Sequence, residues 1–259
     1  MRIATWNVNS ITARLPRLLA WLESSGTDVL CVQETKCTEE QFPAAELREL
    51  GYESAVHATG RWNGVALVSR VGLEDVVRGL PGGPDYGGLQ EPRAISATCG
   101  PARLWSVYVP NGREVAHDHY DYKLRWLEAL SVAVTVDAAA GRPFAVLGDF
   151  NIAPSDDDVW DPSFFEGMTH VTPTERAALE GLRKRGLADV VPRPLKYEHP
   201  FTYWDYRQLC FPKNRGMRID LVYGNEPFTK VVKDSYVDRE ERKGKGASDH
   251  APVVVDLDM

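Results

Sequence analysis

Residues 143–154 read PFAVLGDFNIAP. Phe144 to Leu147 form an unbroken apolar run behind Pro143, the pattern of a strand buried on both faces. Where the run ends it delivers Asp149 and Asn151. Side chains alternate along a strand, so these two point one way and Phe150 points the other. A carboxylate and a carboxamide aimed together from a strand's end can hold a metal, a phosphate or a water. A polar loop that bonds its own backbone uses the same residue types. The choice between these readings depends on how other strands end.

They end alike. Further strand candidates are Ile3–Val8, Val29–Gln33, Val65–Ser69, Ala94–Thr98, Leu104–Val109, Ile219–Tyr223 and Pro252–Leu257. The first runs into Asn7 and Asn9, the second into Glu34, and the fifth through Tyr108 to Pro110-Asn111-Gly112. Asp220 lies within a strand, and Ser248-Asp249-His250 precedes the last one. Each has a bland reading as turn residue or solvated acid. Together they match the needs of a hard divalent cation, which takes oxygen ligands and keeps several waters, beside a histidine left free for acid–base or phosphate work.

Helices fall between the strands. Leu15, Leu18, Leu19 and Leu22 recur at helical spacing, which predicts a helix over 12–24 with Gly26 as its stop. Leu124, Leu127, Leu130 and Val134 mark a second after Asp121. Thr172-Pro173-Thr174-Glu175 opens a third with a capping box, closed at Gly186. Several strands follow one another without a helix. That favours two sheets packed face to face with helices outside, an α/β sandwich, over simple βαβ alternation. Gly79–Gly88 is the best linker candidate and is short enough to be a loop. Arg239–Lys245 is mixed in sign and reads as a solvated loop.

The chain has 259 residues, 43% hydrophobic and 26% charged, which is ordinary globular composition with ample material for a core. No stretch is long and apolar enough for a membrane span, and the amino terminus lacks a signal-peptide apolar region, so the expected location is the cytoplasm. Cys31, Cys37, Cys99 and Cys210 are expected to be reduced, and their lack of metal-type spacing argues against zinc. The net charge of −7 argues against a generally basic nucleic-acid binder. It does not exclude a nuclease with acids gathered in one site and Lys and Arg around it.

TWNVNS, VQETK, NGVALVSR, YVPNG, GDFNIAP, YWDYR, RGMRIDLVYG and SDHAPVVVDL occur in this order between Thr5 and Leu257. In these stretches the chain resembles the exonuclease III family of apurinic/apyrimidinic endonucleases, within the endonuclease/exonuclease/phosphatase group. The resemblance implies a four-layered α/β sandwich, two packed mixed β-sheets flanked by helices with pseudo-two-fold symmetry. A site needing both Asn7 and His250 brings distant parts of the chain together, so residues 1–259 are expected to form one domain, and a monomer is the expected state.

The implied activity is magnesium-dependent hydrolysis of DNA phosphodiesters, with manganese as a substitute: incision 5′ of abasic sites and removal of 3′ blocking groups or nucleotides. The implied partner is double-stranded DNA with abasic sites, nicks or blocked 3′ ends. By resemblance Glu34 is the principal metal carboxylate, with Asn7 and Asp249 close by, and Asp149, Asn151 and His250 complete the candidate metal set. Asn9 stands where some relatives carry Asp. Asp149 is placed to deprotonate the attacking water, with Asn151 fixing that water, and His250 to pair with Asp220 as an imidazolium. An alternative makes His250 the base, and both assignments stay open. Tyr108 and Asn111 resemble phosphate or leaving-group contacts. Tyr203, Trp204, Met217 and Ile219 match the walls of a pocket for an extruded abasic sugar, with Met217 where some relatives have Trp. Arg113, Lys123, Arg125, Lys213 and Arg215 are candidate backbone contacts, which position DNA without reading bases.

Two rivals remain at this level. One is a phosphoesterase of the same group acting on inositol phosphates or lipids, against which YWDYR and RGMRID and the lack of apolar lipid-binding loops argue. The other is a DNA-binding protein that has lost catalysis, in which an unneeded acidic cluster would only repel DNA.

Overall fold

The computed structural model describes all 259 residues. In chain order the elements are β1 (Arg2–Asn7), α1 (Ile11–Ser25), β2 (Val29–Gln33), α2 (Ala44–Glu49), β3 (Glu53–His57), β4 (Val65–Ser69), β5 (Glu74–Arg78), β6 (Ala94–Cys99), β7 (Ala102–Tyr108), α3 (Asp118–Ala133), α4 (Thr135–Ala138), β8 (Phe144–Asp149), α5 (Pro173–Arg183), β9 (Ala188–Asp189), β10 (Asp220–Gly224), α6 (Glu226–Thr229), β11 (Val232–Val237) and β12 (Val253–Leu257). They build two six-stranded sheets, ordered β11-β12-β1-β2-β4-β3 and β5-β6-β7-β8-β10-β9.

The two sheets repeat one pattern. Reading across each, the pairings run antiparallel, antiparallel, parallel, antiparallel, antiparallel. The parallel pair is β1·β2 in one sheet and β7·β8 in the other, and α1 and α3 make the respective crossovers. Three apolar clusters of comparable size, 22, 19 and 18 buried residues, fill the spaces between sheet and sheet and between each sheet and its helices. Three interfaces make four layers, as the sequence led us to expect.

Strand residues sort by parity. Ile3, Cys31, Leu104, Leu147 and Val222 face the space between the sheets, while Ala4, Leu30, Trp105, Val146 and Leu221 face the helices. Near the top of the central layer the apolar residues give way to a buried polar one. Gln33 Nε2 donates to Thr5 Oγ1 and to Ser106 Oγ, each at 3.0 Å, so one side chain ties the inner faces of both sheets together.

Helix boundaries fit their chemistry. Ser10 Oγ accepts from Ala13 N at the start of α1, and Gly26 ends it in the left-handed conformation. Thr172 and Glu175 form the reciprocal capping box of α5. α3 starts at Asp118, earlier than the Asp121 expected, because the His117 side chain accepts from His119 N. The Gly79–Gly88 stretch joins β5 to β6 within one sheet and buries Leu80, so it is a loop and not a linker. Within Arg239–Lys245 the solvated-loop reading fails for Arg242, which is buried and donates to Trp204 O at 3.0 Å. All four cysteines are free thiols. No helix is long and apolar enough to cross a membrane.

Candidate active site

The inner-face parity that packs the core also places polar side chains where the strands stop. Asn7 continues the face of Ile3, Tyr108 that of Leu104, Asp149 that of Leu147, and Asp220 that of Val222. Register brings them level: Tyr108 pairs with Asp149 across β7·β8, and Asp149 with Asp220 across β8·β10. Gly148 permits this closeness, since a Cβ there would lie 1.9 Å from Val107 O. Beyond the strands, Asn9, Glu34 and Asn151 adopt left-handed φ values of 46°, 54° and 51°. Such backbone is uncommon outside glycine, although asparagine tolerates it, and here it falls just past the strand ends. His250 is delivered by the segment before β12, which is stitched to Thr202–Trp204 by Ala251 N→Thr202 O and Trp204 N→Asp249 O.

The result is a cleft of about 220 Å³ lined by Glu34, Tyr108, Asn111, Asp149, Asn151, His170, Tyr203, Met217, Ile219, Asp249 and His250. Ligand atoms of Glu34, Asp149 and His250 lie within 4.8 Å of one another. Asn7 Nδ2 donates to Glu34 Oε1 at 2.8 Å and to Asp149 Oδ2 at 2.9 Å. Its amide oxygen accepts from Asn9 N, so Asn7 presents N–H to the acids and not the oxygen a metal ligand needs. Lys36 Nζ pairs with Glu34 Oε2 at 2.6 Å and donates to Asn9 Oδ1, and Asn9 Nδ2 donates to Asp249 Oδ1.

Asp149 is almost fully buried. Burial pushes its carboxyl up to about 7; the charge of His250 opposes this, while Asp220 and Glu34 add to it. Burial also works against a charged His250, but the charge and hydrogen bond of Asp220, at 2.8 Å from Nδ1, together with Asp149, raise it to about 10. Nε2 of the imidazolium faces Asp149 Oδ2 at 3.8 Å, a gap too long for a hydrogen bond. Burial opposes ionisation of Glu34 as well, and Lys36 with Asn7 outweighs it, so this carboxylate lies below the ordinary range. Burial and the neighbouring Glu34 hold the Tyr108 phenol far above its usual value, hence as an O–H donor. Arg93 stacks over its ring at 4.8 Å.

Asn151 is held from all sides. Its Oδ1 lies within hydrogen-bond distance of Asn111 Nδ2 (3.0 Å) and His170 Nε2 (3.1 Å), and its Nδ2 donates to Val109 O. That oxygen is therefore engaged, and the metal-ligand reading of Asn151 is corrected. Its backbone N–H donates to Asp149 Oδ1 at 2.9 Å. Lys123 needs a larger correction. It is fully buried, paired with Glu175 Oε1 at 2.5 Å, and it donates to the carbonyls of Asn151 and Asn111 at 2.7 and 3.2 Å. It braces two site loops from beneath and cannot meet a DNA phosphate.

Tyr203, Met217 and Ile219 line the cleft, and the Tyr203 ring lies 4.9 Å from that of His250. Alternation sends Arg218 the other way, to Asp158 and Asp189 at 2.6 and 2.9 Å. Trp204, expected in the same wall, is turned into the core between the sheets, so that assignment is corrected. Arg113, Arg125 and Lys213 are exposed but line neither this cleft nor its neighbouring cavity, which Arg215 does line. Sequence reasoning missed His170 and Arg93, whose neighbours carry no motif, and Lys36, which stands inside VQETK.

The sequence model of the endonuclease/exonuclease/phosphatase family matches residues 4–250. Exodeoxyribonuclease III of Haemophilus influenzae is 29% identical over 98% of both chains. A 3′-5′ exonuclease from Neisseria meningitidis superposes with TM-score 0.95 at 36% identity over the whole of both chains. A 3′ phosphatase from Neisseria, solved with a product DNA hairpin, gives 0.94 at 36%. An AP endonuclease from Archaeoglobus fulgidus gives 0.93 at 32%, again over all of both chains. The chain belongs to the endonuclease/exonuclease/phosphatase family, in its exonuclease III and AP endonuclease branch of hydrolases.

Proposed function

We propose that the protein is a metal-dependent DNA repair phosphoesterase that incises duplex DNA 5′ of abasic sites and clears blocking groups or nucleotides from 3′ ends. The observation that carries this is the row Asp220–His250–Asp149 with Glu34 beside it, at the end of a narrow cleft. The named activities of the Neisseria and Archaeoglobus relatives support both halves of the reading. Because the site draws on Asn7 and on His250, we take residues 1–259 as one catalytic domain, complete in a single copy.

The donor set fits a hard cation: acidic oxygens outnumber the two local positive groups, Lys36 and His250. Glu34 and Asp149 would hold magnesium, or manganese, with Asp249 at the margin. Such an ion, when bound, offsets charge on the attacked phosphate and on the oxygen that leaves. With Nδ1 engaged by Asp220 and Nε2 facing Asp149, His250 is placed in catalysis and not among the metal ligands.

The chain's own groups divide the remaining work. Asp149 takes a proton from the attacking water, its two oxygens fixed by Asn7 Nδ2 and Asn151 N. His250 donates from Nε2 to a phosphoryl oxygen as negative charge builds there, while Asp220 holds its orientation. Tyr108 supplies an O–H toward the departing 3′ oxygen. Tyr203, Met217 and Ile219 receive a sugar that has lost its base, for which leaving the helix is cheapest.

The test is cleavage of abasic, nicked and 3′-phosphate duplexes with magnesium, manganese or EDTA. Cleavage that needs the metal is expected, and full activity after exhaustive EDTA treatment overturns the reading. Activity on inositol phosphates in place of DNA would favour the other branch of the family.

A further inference from the structure

A second cavity, about 370 Å³, opens beside the cleft. Tyr203 and Met217 line both spaces and form the partition between them. The outer wall is aromatic. Trp160 and Phe164 lie 5.3 Å apart, and Phe165 meets Phe164 edge-on at 5.1 Å. Phe164 is 51% exposed, an unusual position for a large ring packed against others. Arg215 lies over the Trp160 ring at 4.7 Å and forms no ion pair. Gln208 and Asp205 add hydrogen-bonding edges.

Apolar walls alone would be compatible with any small hydrophobe. The additional features are specific: aromatic faces, a guanidinium held in no ion pair, and two wall residues shared with a phosphoesterase cleft. Together they describe a receptor for a nucleotide base, which stacks on the rings while the guanidinium adds a cationic face and the scissile phosphate stays in the neighbouring cleft. We infer that this cavity binds the intact base of the nucleotide being removed from a 3′ end, after that base has left the helix. The inference rests on the nuclease reading above and names the part of its substrate that the abasic-sugar walls do not explain. An abasic sugar or a bare 3′-phosphate has no base and does not use the cavity.

The test compares two substrates on one duplex end, a 3′-terminal nucleotide and a 3′-phosphate. Phe164→Ala should lower kcat/KM for nucleotide removal by ~5- to 150-fold, the usual worth of one base–aromatic stack. Removal of the 3′-phosphate by the same preparation should stay near wild type, which also certifies the fold. Phe164→Tyr should restore nucleotide removal. Equal losses on both ends, or no loss on either, would overturn the cavity's assignment. Binding is read separately in EDTA with 2-aminopurine as the terminal base, whose fluorescence should be quenched by the wild type and less by Phe164→Ala. Quenching without any metal-dependent cleavage would sink the nuclease reading and leave the base site standing; identical signals from both proteins would sink the base site alone.

Discussion

Asp149 sits under opposing demands. Burial resists its charge, yet a base must be charged to accept a proton. Asp149→Asn keeps the shape and removes the basicity, so single-turnover cleavage should fall by ~10²–10⁴-fold, the usual worth of a positioned base. DNA binding should persist, because a negative charge beside the phosphate has gone; near wild-type rates at saturating magnesium would end this assignment. The pH profile follows from both shifted groups. Activity should rise as Asp149 deprotonates, at or below about 7 because a bound cation lowers it, and fall as His250 loses its proton near about 10. Asp220→Asn should pull the alkaline limb downward; a limb that stays fixed would show that another group titrates there. The same pair bears on stability: a raised histidine pKa stabilises the fold fully below about 6.5, and this is lost as pH rises through about 10. At this scale residue type and position marked Asp149, Asp220 and His250 as candidates, the resemblance implied their roles, and the structure brings the three side chains together. The sequence was silent on the partners of a carboxamide. Nothing in GDFNIAP tells that Asn151 Oδ1 is already engaged by Asn111 and His170.

The strands legible in the sequence were the eight interior ones, and those missed were β3, β5, β9 and β11, the four edges of the two sheets. The reason is physical. An interior strand is covered by helices on one face and by the other sheet on the second, so it must read as continuous apolar sequence. An edge strand such as Glu74–Arg78 is mostly exposed and carries charge, which also discourages pairing with another chain. Lys123 was misread on α3 for a related cause: a lysine at helical spacing looks solvated unless its partner, far away at Glu175 on α5, is known. Lys123→Ala leaves that carboxylate buried and unpaired, so urea denaturation should report a loss of ~3–5 kcal/mol. Lys123→Met combined with Glu175→Gln should recover part of it. A midpoint that barely moves in the single variant would mean that the carboxylate finds water.

For the molecule as a whole, net charge and local charge make separate predictions. Despite a total of −7, DNA affinity should fall steeply with salt, since exposed cations such as Arg113, Arg125 and Lys213 would release counterions from phosphates. A flat plot of log K against log salt would place binding elsewhere. Periodicity alone indicated two packed sheets with helices outside, and the pseudo-two-fold repeat was implied by the family resemblance. The residues themselves do not display the repeat, because equivalent positions in the two halves carry different chemistry: Asn7 stands where Tyr108 does, and Gln33 where Asp149 does. One consequence concerns the order of synthesis. β1 is made long before its neighbour β12, and Arg2 bonds Asp256 across a separation of 254 residues. Until β12 emerges from the ribosome, β1 carries an unpaired hydrogen-bonding edge inside what will become the middle of a sheet. Such long-range closure is slow, and an open interior edge invites association with other chains. Nascent chains ending at Thr229 should therefore depend on chaperones and aggregate without them. They should also be unable to cut DNA, because they lack Asp249 and His250.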